Sequence, residues 1–177
     1  MNRFQGAGAV LVMLLASAIE ARLSASSDRA RLGESESTKL VASDGIAKDQ
    51  LGKSVSVTEG LAIFGAPGDN DAAFQSGSVY AVAFDGDDWE QEQEIFASDA
   101  RDGDRFGWSV SISSDTAIVG SIFGDDGFDR TGSAYVFVRG RRGWEEQDEL
   151  EPSNGEDYGQ FGYAVSVSGD TAVIGSP

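Results

Sequence analysis

The sequence predicts an all-β fold of β-propeller blades, each made of four antiparallel strands from one 55-residue repeat, in an incomplete set of about 2.5 blades. Three observations carry this prediction. Glycines recur in register: Gly52, Gly107 and Gly162 stand at intervals of 55, and so do Gly65, Gly120 and Gly175. The alignment extends without a gap through Leu40, Ile95 and Leu150, through Ser43, Ser98 and Ser153, through Tyr80 and Tyr135, and through Trp89 and Trp144. Inside each unit, short β-branched and aromatic runs alternate with Gly, Asp and Ser turns, which is strand punctuation rather than helical period.

In chain order, residues 1–18 have the form of an export signal. Arg3 is the basic start, Gly6 to Leu15 is apolar, and Ala16-Ser17-Ala18 offers small residues for cleavage after Ala18. The apolar run falls short of the roughly 20 residues of a permanent span, so a secreted product without stable membrane insertion is expected. Residues 19–38 are Ser-rich and charged, and read as a disordered lead-in. The array follows as blade 1 over 39–93, blade 2 over 94–148 and half of blade 3 over 149–177.

Each unit opens on an alternating strand, Ser54-Val55-Ser56-Val57 or Ser109-Val110-Ser111-Ile112, expected to be half-buried. A short turn leads to a wholly apolar second strand, such as Leu61-Ala62-Ile63-Phe64, expected to be covered on both faces. After an acidic loop comes a third strand rich in residues that suit a pleated surface, Gly77 to Phe84 or Gly132 to Val138. A tight tip then leads to a polar outer strand that begins with Trp89 or Trp144. The aromatic residues Phe106, Phe161, Trp89 and Trp144 are expected to pack between blades.

The Phe-Gly start and Gly-Ala-Pro end of these units, Gly52 to Pro67, Phe106 to Ser121 and Phe161 to Pro177, resemble the FG-GAP repeat of integrin alpha subunits. The Ser43-Asp44-Gly45 lead-in, the Gly169 to Gly175 core and the Gly132 to Phe137 strand are more similar to the secreted microbial and algal branch. The resemblance implies a propeller outside the cell. Leu51 stands in place of the Phe in the first unit, and Ile122 in place of the Pro in the second. Integrin-like blades often carry an Asp-x-Asp-x-Asp-Gly-x-x-Asp calcium loop between the first two strands. Only short turns with at most one carboxylate, such as Asp115 or Asp170, occupy that place here, so the family's calcium site does not carry over.

Thirty acidic residues against thirteen basic ones give a net charge of −17, which disfavours nucleic acid and anionic lipid and favours cations or basic partners. Calcium is the candidate cofactor, because its six to eight oxygen ligands could come from the loop before the third strand. That loop offers Asp69, Asn70 and Asp71 in the first unit, and Asp125, Asp126 and Asp129 in the second. A second set, Asp44 with Asp49 and Asp99 with Asp102 and Asp104, precedes the first strand. No His and no Cys is present, and no nucleophile elbow or phosphate-cradling loop is found, so no catalytic residue is assigned.

The functional expectation is a non-enzymatic extracellular module for adhesion, recognising a protein or glycan ligand through its loops. The alternatives are a structural module of a larger secreted protein without its own ligand, and a calcium-binding or hydrolytic secreted protein. At the tip between the third and fourth strands, Asp85-Gly86-Asp87-Asp88 gives way to Gly140-Arg141-Arg142-Gly143 between fixed Tyr and Trp positions. Closure of the ring is expected to need further blades or self-assembly, since propellers have about four to eight blades.

Overall fold

The computed structural model describes residues 9–12, 38–46, 48–124, 131–153 and 159–177. Twelve strands are found there and no helix. The first two form a pair, β1 (Ala9–Val12) against β2 (Thr38–Val41). Of the lead-in read at 19–38, Thr38 opens β2, and the rest, with most of the export-signal segment, lies outside the described residues.

Blade 1 is a four-stranded antiparallel sheet in the order β3 (Ser54–Thr58), β4 (Leu61–Ala66), β5 (Ser78–Phe84) and β6 (Trp89–Ile95). Blade 2 repeats it with β7 (Phe106–Ser113), β8 (Thr116–Ser121), β9 (Ser133–Gly140) and β10 (Gly143–Leu150). Blade 3 is represented by the hairpin β11 (Ala164–Ser168) and β12 (Thr171–Gly175). The fourth strand of blade 1 thus runs to Ile95, beyond the 39–93 unit read from sequence.

Register makes the pair β1–β2 intelligible. Val10 lies opposite Leu40 as Val79 lies opposite Ile95 and Ala134 opposite Leu150. Leu40, Ile95 and Leu150 are equivalent, so β1 and β2 hold the third- and fourth-strand places of a preceding blade. Leu40 packs against Phe64, Val82 and Trp89 on the outer part of blade 1.

The largest core lies between blades 1 and 2. Blade 1 contributes Leu61, Ile63, Val79, Ala81 and Ile95, and blade 2 answers with Phe106, Val110, Ile112, Val119, Tyr135, Phe137 and Trp144. The second strands β4 and β8 are buried almost throughout, as expected for a strand with a blade on either side. The outer strands β6 and β10 keep their Trp buried and turn most of their polar side chains to water, with Gln93, Glu94 and Glu149 half-buried.

Two expectations need correction. On β3 the hydroxyl side is the half-buried one, while Val55 and Val57 are exposed, because no inner strand lies against that side of blade 1 among the described residues. The second strand of the third unit is also largely exposed, since among the described residues β12 pairs only with β11.

The glycines of the motif join the blades. Gly107 sits at φ +84° against the backbone of Gly65, Ala66 and Ser78, and Gly162 makes the same approach to Gly120, Ser121 and Ser133. The start of one unit therefore lies on the Gly-Ala-Pro end of the unit before it, backbone against backbone.

Candidate functional site

Strand direction sorts the connections into two ends. The turns between first and second strands and the tips at 85–88 and 140–143 form a hairpin end. The loop at 67–77 and the crossing at 96–105 form the opposite, loop end.

At the loop end, four carboxylates gather around one tyrosine. Asp44 precedes β3, Asp69 and Asp71 follow β4, Glu94 lies on β6, and Tyr80 lies on β5 as the direct cross-strand partner of Glu94. Carboxylate oxygens of Asp44, Asp71 and Glu94 lie within 4.8 Å of one another. The Tyr80 hydroxyl is 3.0 Å from Asp44 Oδ1 and 3.2 Å from Asp69 Oδ2, and Asp69, only 2% exposed, also accepts from the Asp71 N–H at 2.8 Å. A phenol has one proton to donate, so it cannot satisfy both carboxylates at once. Glu94 Oε1 is buried without a hydrogen-bond partner.

The electrostatics follow from this crowding. Burial, reinforced by the charges of Asp44, Asp69 and Asp71, pushes the Glu94 carboxyl up to about 7. The charge of Asp69, with burial, raises Asp71. Burial raises the Tyr80 phenol far above its ordinary value. Among the described residues none of these carboxylates has an ion-pair partner. The cluster can therefore take up a proton on Glu94, or a cation among Asp44, Asp71 and Glu94.

Blade 2 repeats part of the arrangement. Tyr135 donates to Asp99 at 3.0 Å and lies opposite Glu149, whose carboxyl is raised by burial and by the charge of Asp99. Asp125, Asp126 and Asp129 lie outside the described residues.

The sequence-derived ligands are thus split. Asp71 joins the cluster, and Asp69 stands behind Tyr80. Asn70 turns to the backbone, accepting from Gln75 N–H and donating to the Gly68 carbonyl. Of the second set, Asp44 joins, while Asp49, Asp102 and Asp104 accept from the N–H groups of Ile46, Phe74 and Arg101. Glu94 escaped the sequence reading. Its signal was the paired recurrence of Tyr80 with Glu94 and of Tyr135 with Glu149 at the same 55-residue interval.

At the hairpin end, a groove of about 630 Å³ runs between blades 1 and 2, with Glu59, Leu61, Phe84, Asp115 and Arg139 in its lining. Phe84 and Arg139 are equivalent positions, so one register supplies both an aromatic and a cationic wall. Arg139 is held by Glu92 of blade 1 at 2.9 Å, with Asp115 at 3.9 Å. Asp85 folds the acidic tip by accepting from the N–H groups of Asp87 and Asp88, which lowers its pKa.

A family model described as FG-GAP repeat matches residues 35–84, 89–137 and 144–177. The second of these matches runs from β6 through most of β9, so the family's repeat begins on the outer strand of one blade and ends on the third strand of the next. Among curated proteins none matches the chain. With antiparallel four-stranded sheets joined by backbone contacts at the motif glycines, and with most of its length matched, the chain belongs to the FG-GAP repeat family and is a β-propeller module of that kind.

Proposed function

We propose that this chain is a non-enzymatic, extracellular recognition module that binds a protein or glycan ligand at its hairpin end. The observation that carries the reading is the groove between blades 1 and 2, where a repeated scaffold presents different side chains at equivalent positions: Phe84 against Arg139, and an acidic tip against a basic one. Loops that differ on a fixed frame suit recognition, and FG-GAP modules are commonly extracellular. Two features weigh against hydrolysis as the role: the chain has neither His nor Cys, so the usual general base and the thiol nucleophile are both missing. The test is binding of the full chain to a glycan array and to an extracellular protein extract, with Arg139→Ala beside it. That substitution removes a partly exposed ion pair worth at most about 1 kcal/mol of stability, so the fold survives. Binding is expected to weaken about tenfold or more, equivalent to ~1.4 kcal/mol. A chain that binds nothing in either screen would instead be a structural module without its own ligand.

A second reading is favoured by the unpartnered Glu94 oxygen among Asp44 and Asp71: the loop end binds calcium. The carboxyl's folded pKa lies above its ordinary value, so the native state holds a proton that the unfolded state releases. Stability in chelator is therefore expected to fall as pH rises from about 4.5 to about 7, by on the order of 2 kcal/mol after solvent screening, and to stay low above that. Calcium at neutral pH should restore it with measurable heat of binding, and Glu94→Gln should flatten the pH profile and abolish the heat. Melts across pH with and without calcium decide it; no heat and no thermal shift would sink the metal reading.

A further inference from the structure

The hydroxyls of each first strand bond the backbone of the next first strand, rung by rung. Between blades 2 and 3, Ser109 Oγ donates to the Gly162 carbonyl at 2.7 Å, and Ser111 Oγ accepts from Val167 N–H at 3.0 Å. A third rung follows, in which Ser113 Oγ accepts from Gly169 N–H at 3.1 Å. Between blades 1 and 2 the first two recur, Ser54 Oγ donating to the Gly107 carbonyl at 2.8 Å and Ile112 N–H donating to Ser56 Oγ at 3.0 Å. The third would join Ser114 N–H to Thr58, the equivalents of Gly169 and Ser113. Among the described residues it is not made.

The groove at the hairpin end opens at that missing rung. Thr58 and Ser114 both line it, over a floor of Leu61 and Ala83, which face blade 2 beside the main core. Other polar groups are unspent at the same place. Arg139 gives Nε and Nη2 to Glu92, at 3.0 and 2.9 Å, while Nη1 has only Asp115 at 3.9 Å, beyond hydrogen-bond reach. The Asp115 side chain is 65% exposed, and its carboxylate accepts no hydrogen bond among the described residues.

This set of groups selects the ligand. A hydroxyl between Arg139 Nη1 and Asp115 accepts from the first and donates to the second, and so satisfies both. A lysine or arginine side chain has donors alone and would bring a like charge to Arg139. A carboxylate or sulfate would satisfy Nη1 but meet Asp115, Glu59 and the acidic tip at 85–88. The floor is small and Leu61 is only 7% exposed, which suits the C–H face of a sugar ring better than a large apolar anchor.

Resting on the recognition role proposed for the hairpin end, we propose that this groove takes a neutral glycan. One sugar hydroxyl bridges Arg139 Nη1 and Asp115, neighbouring sugar oxygens take up the Thr58 hydroxyl and Ser114 N–H left by the missing rung, and the ring lies on Leu61 and Ala83. Glu92 holds the guanidinium before the ligand arrives, so little side-chain ordering is left to oppose binding. The groove's volume of about 630 Å³ falls within the roughly 300–1,000 Å³ of small-ligand sites.

Calorimetric titration of the full chain with neutral gluco-, manno- and galacto-oligosaccharides, beside sulfated and uronic-acid oligosaccharides, tests the assignment. At least one neutral oligosaccharide is expected to bind, and the charged ones to bind about tenfold more weakly or less. Thr58→Val, which keeps the side chain's shape, and Asp115→Ala, at an exposed position, should each weaken binding of that oligosaccharide about five- to tenfold, with melting curves confirming that both variants are folded. Ser113→Ala removes a hydroxyl from the closed junction instead and should leave the affinity unchanged. If no neutral oligosaccharide binds, or charged ones bind as well, the glycan assignment is overturned. The recognition role then stands only if the chain still captures an extracellular protein in an Arg139-dependent way, and falls too if it captures nothing. Neutral binding that survives both Thr58→Val and Asp115→Ala would overturn the groove as the glycan's site.

Discussion

Replacing Gly107 with alanine is expected to destabilise the protein by about 3–5 kcal/mol and to lower its melting temperature by roughly 10 °C or more. Two costs combine. Gly107 adopts φ +84°, where a side chain adds about 1–2 kcal/mol of backbone strain. Its Cβ would also enter the space held by the Ser78 carbonyl and the backbone of Gly65 and Ala66, which cannot yield as a flexible side chain could. The separation of these costs is testable at Gly60, which has φ +69° but nothing within 4 Å of where a methyl group would stand. Gly60→Ala should cost only the strain. Chemical denaturation of both variants reads the difference directly. Equal losses at the two positions would mean that the contact between blades adds nothing, and that the glycine is retained for its turn alone.

That contact shows how far the sequence could be read and where reading stopped. Strand order, blade size and the inter-blade role of Phe106, Trp89 and Trp144 were legible because burial between repeats imposes the same residue type at the same position every 55 residues. The second strands were legible for the same reason, since a strand covered on both faces has no polar side to show. The loop end was less so. An Asp in a turn serves equally well as a metal ligand or as an acceptor for backbone N–H groups. Asp49, Asp102 and Asp104 do the second, in company with Asn70, while Asp44 and Asp71 approach Glu94. Composition cannot separate these roles, because the difference lies in which way each loop turns. Glu94 was hidden in a run of polar outer-strand residues, and only its cross-strand pairing with Tyr80 distinguishes it from its neighbours. The exposure of Val55 and Val57 was also beyond the pattern, because alternation says that a strand has an apolar side and not whether anything lies against it.

The second large effect is expected at Phe106, the motif residue for which Leu51 stands in the first unit. Phe106 is fully buried, and its ring meets Tyr135 at 5.4 Å and Phe137 at 5.8 Å, edge to face in both cases. Its N–H donates to the Ser76 carbonyl at 2.7 Å, so the same residue ties the start of blade 2 to the loop of blade 1. Phe106→Ala leaves that backbone bond but empties the space between the blades, at a cost of about 3–5 kcal/mol, with two aromatic pairs lost as well. Phe106→Leu keeps most of the volume and should cost about 1–1.5 kcal/mol, comparable to what blade 1 accommodates with Leu51. The site should feel the larger change. Tyr135 rests against Phe106 while its hydroxyl donates to Asp99, so a cavity beside the ring frees the tyrosine that holds the blade 2 acidic pair. Urea denaturation should rank the variants alanine, leucine, parent from least to most stable, and near-ultraviolet circular dichroism should show the tyrosine signal weakened in the alanine variant alone. A loss below about 1 kcal/mol for Phe106→Ala would refute the idea that this ring seals the junction, and would shift the weight of blade-to-blade cohesion onto the glycine backbone contact.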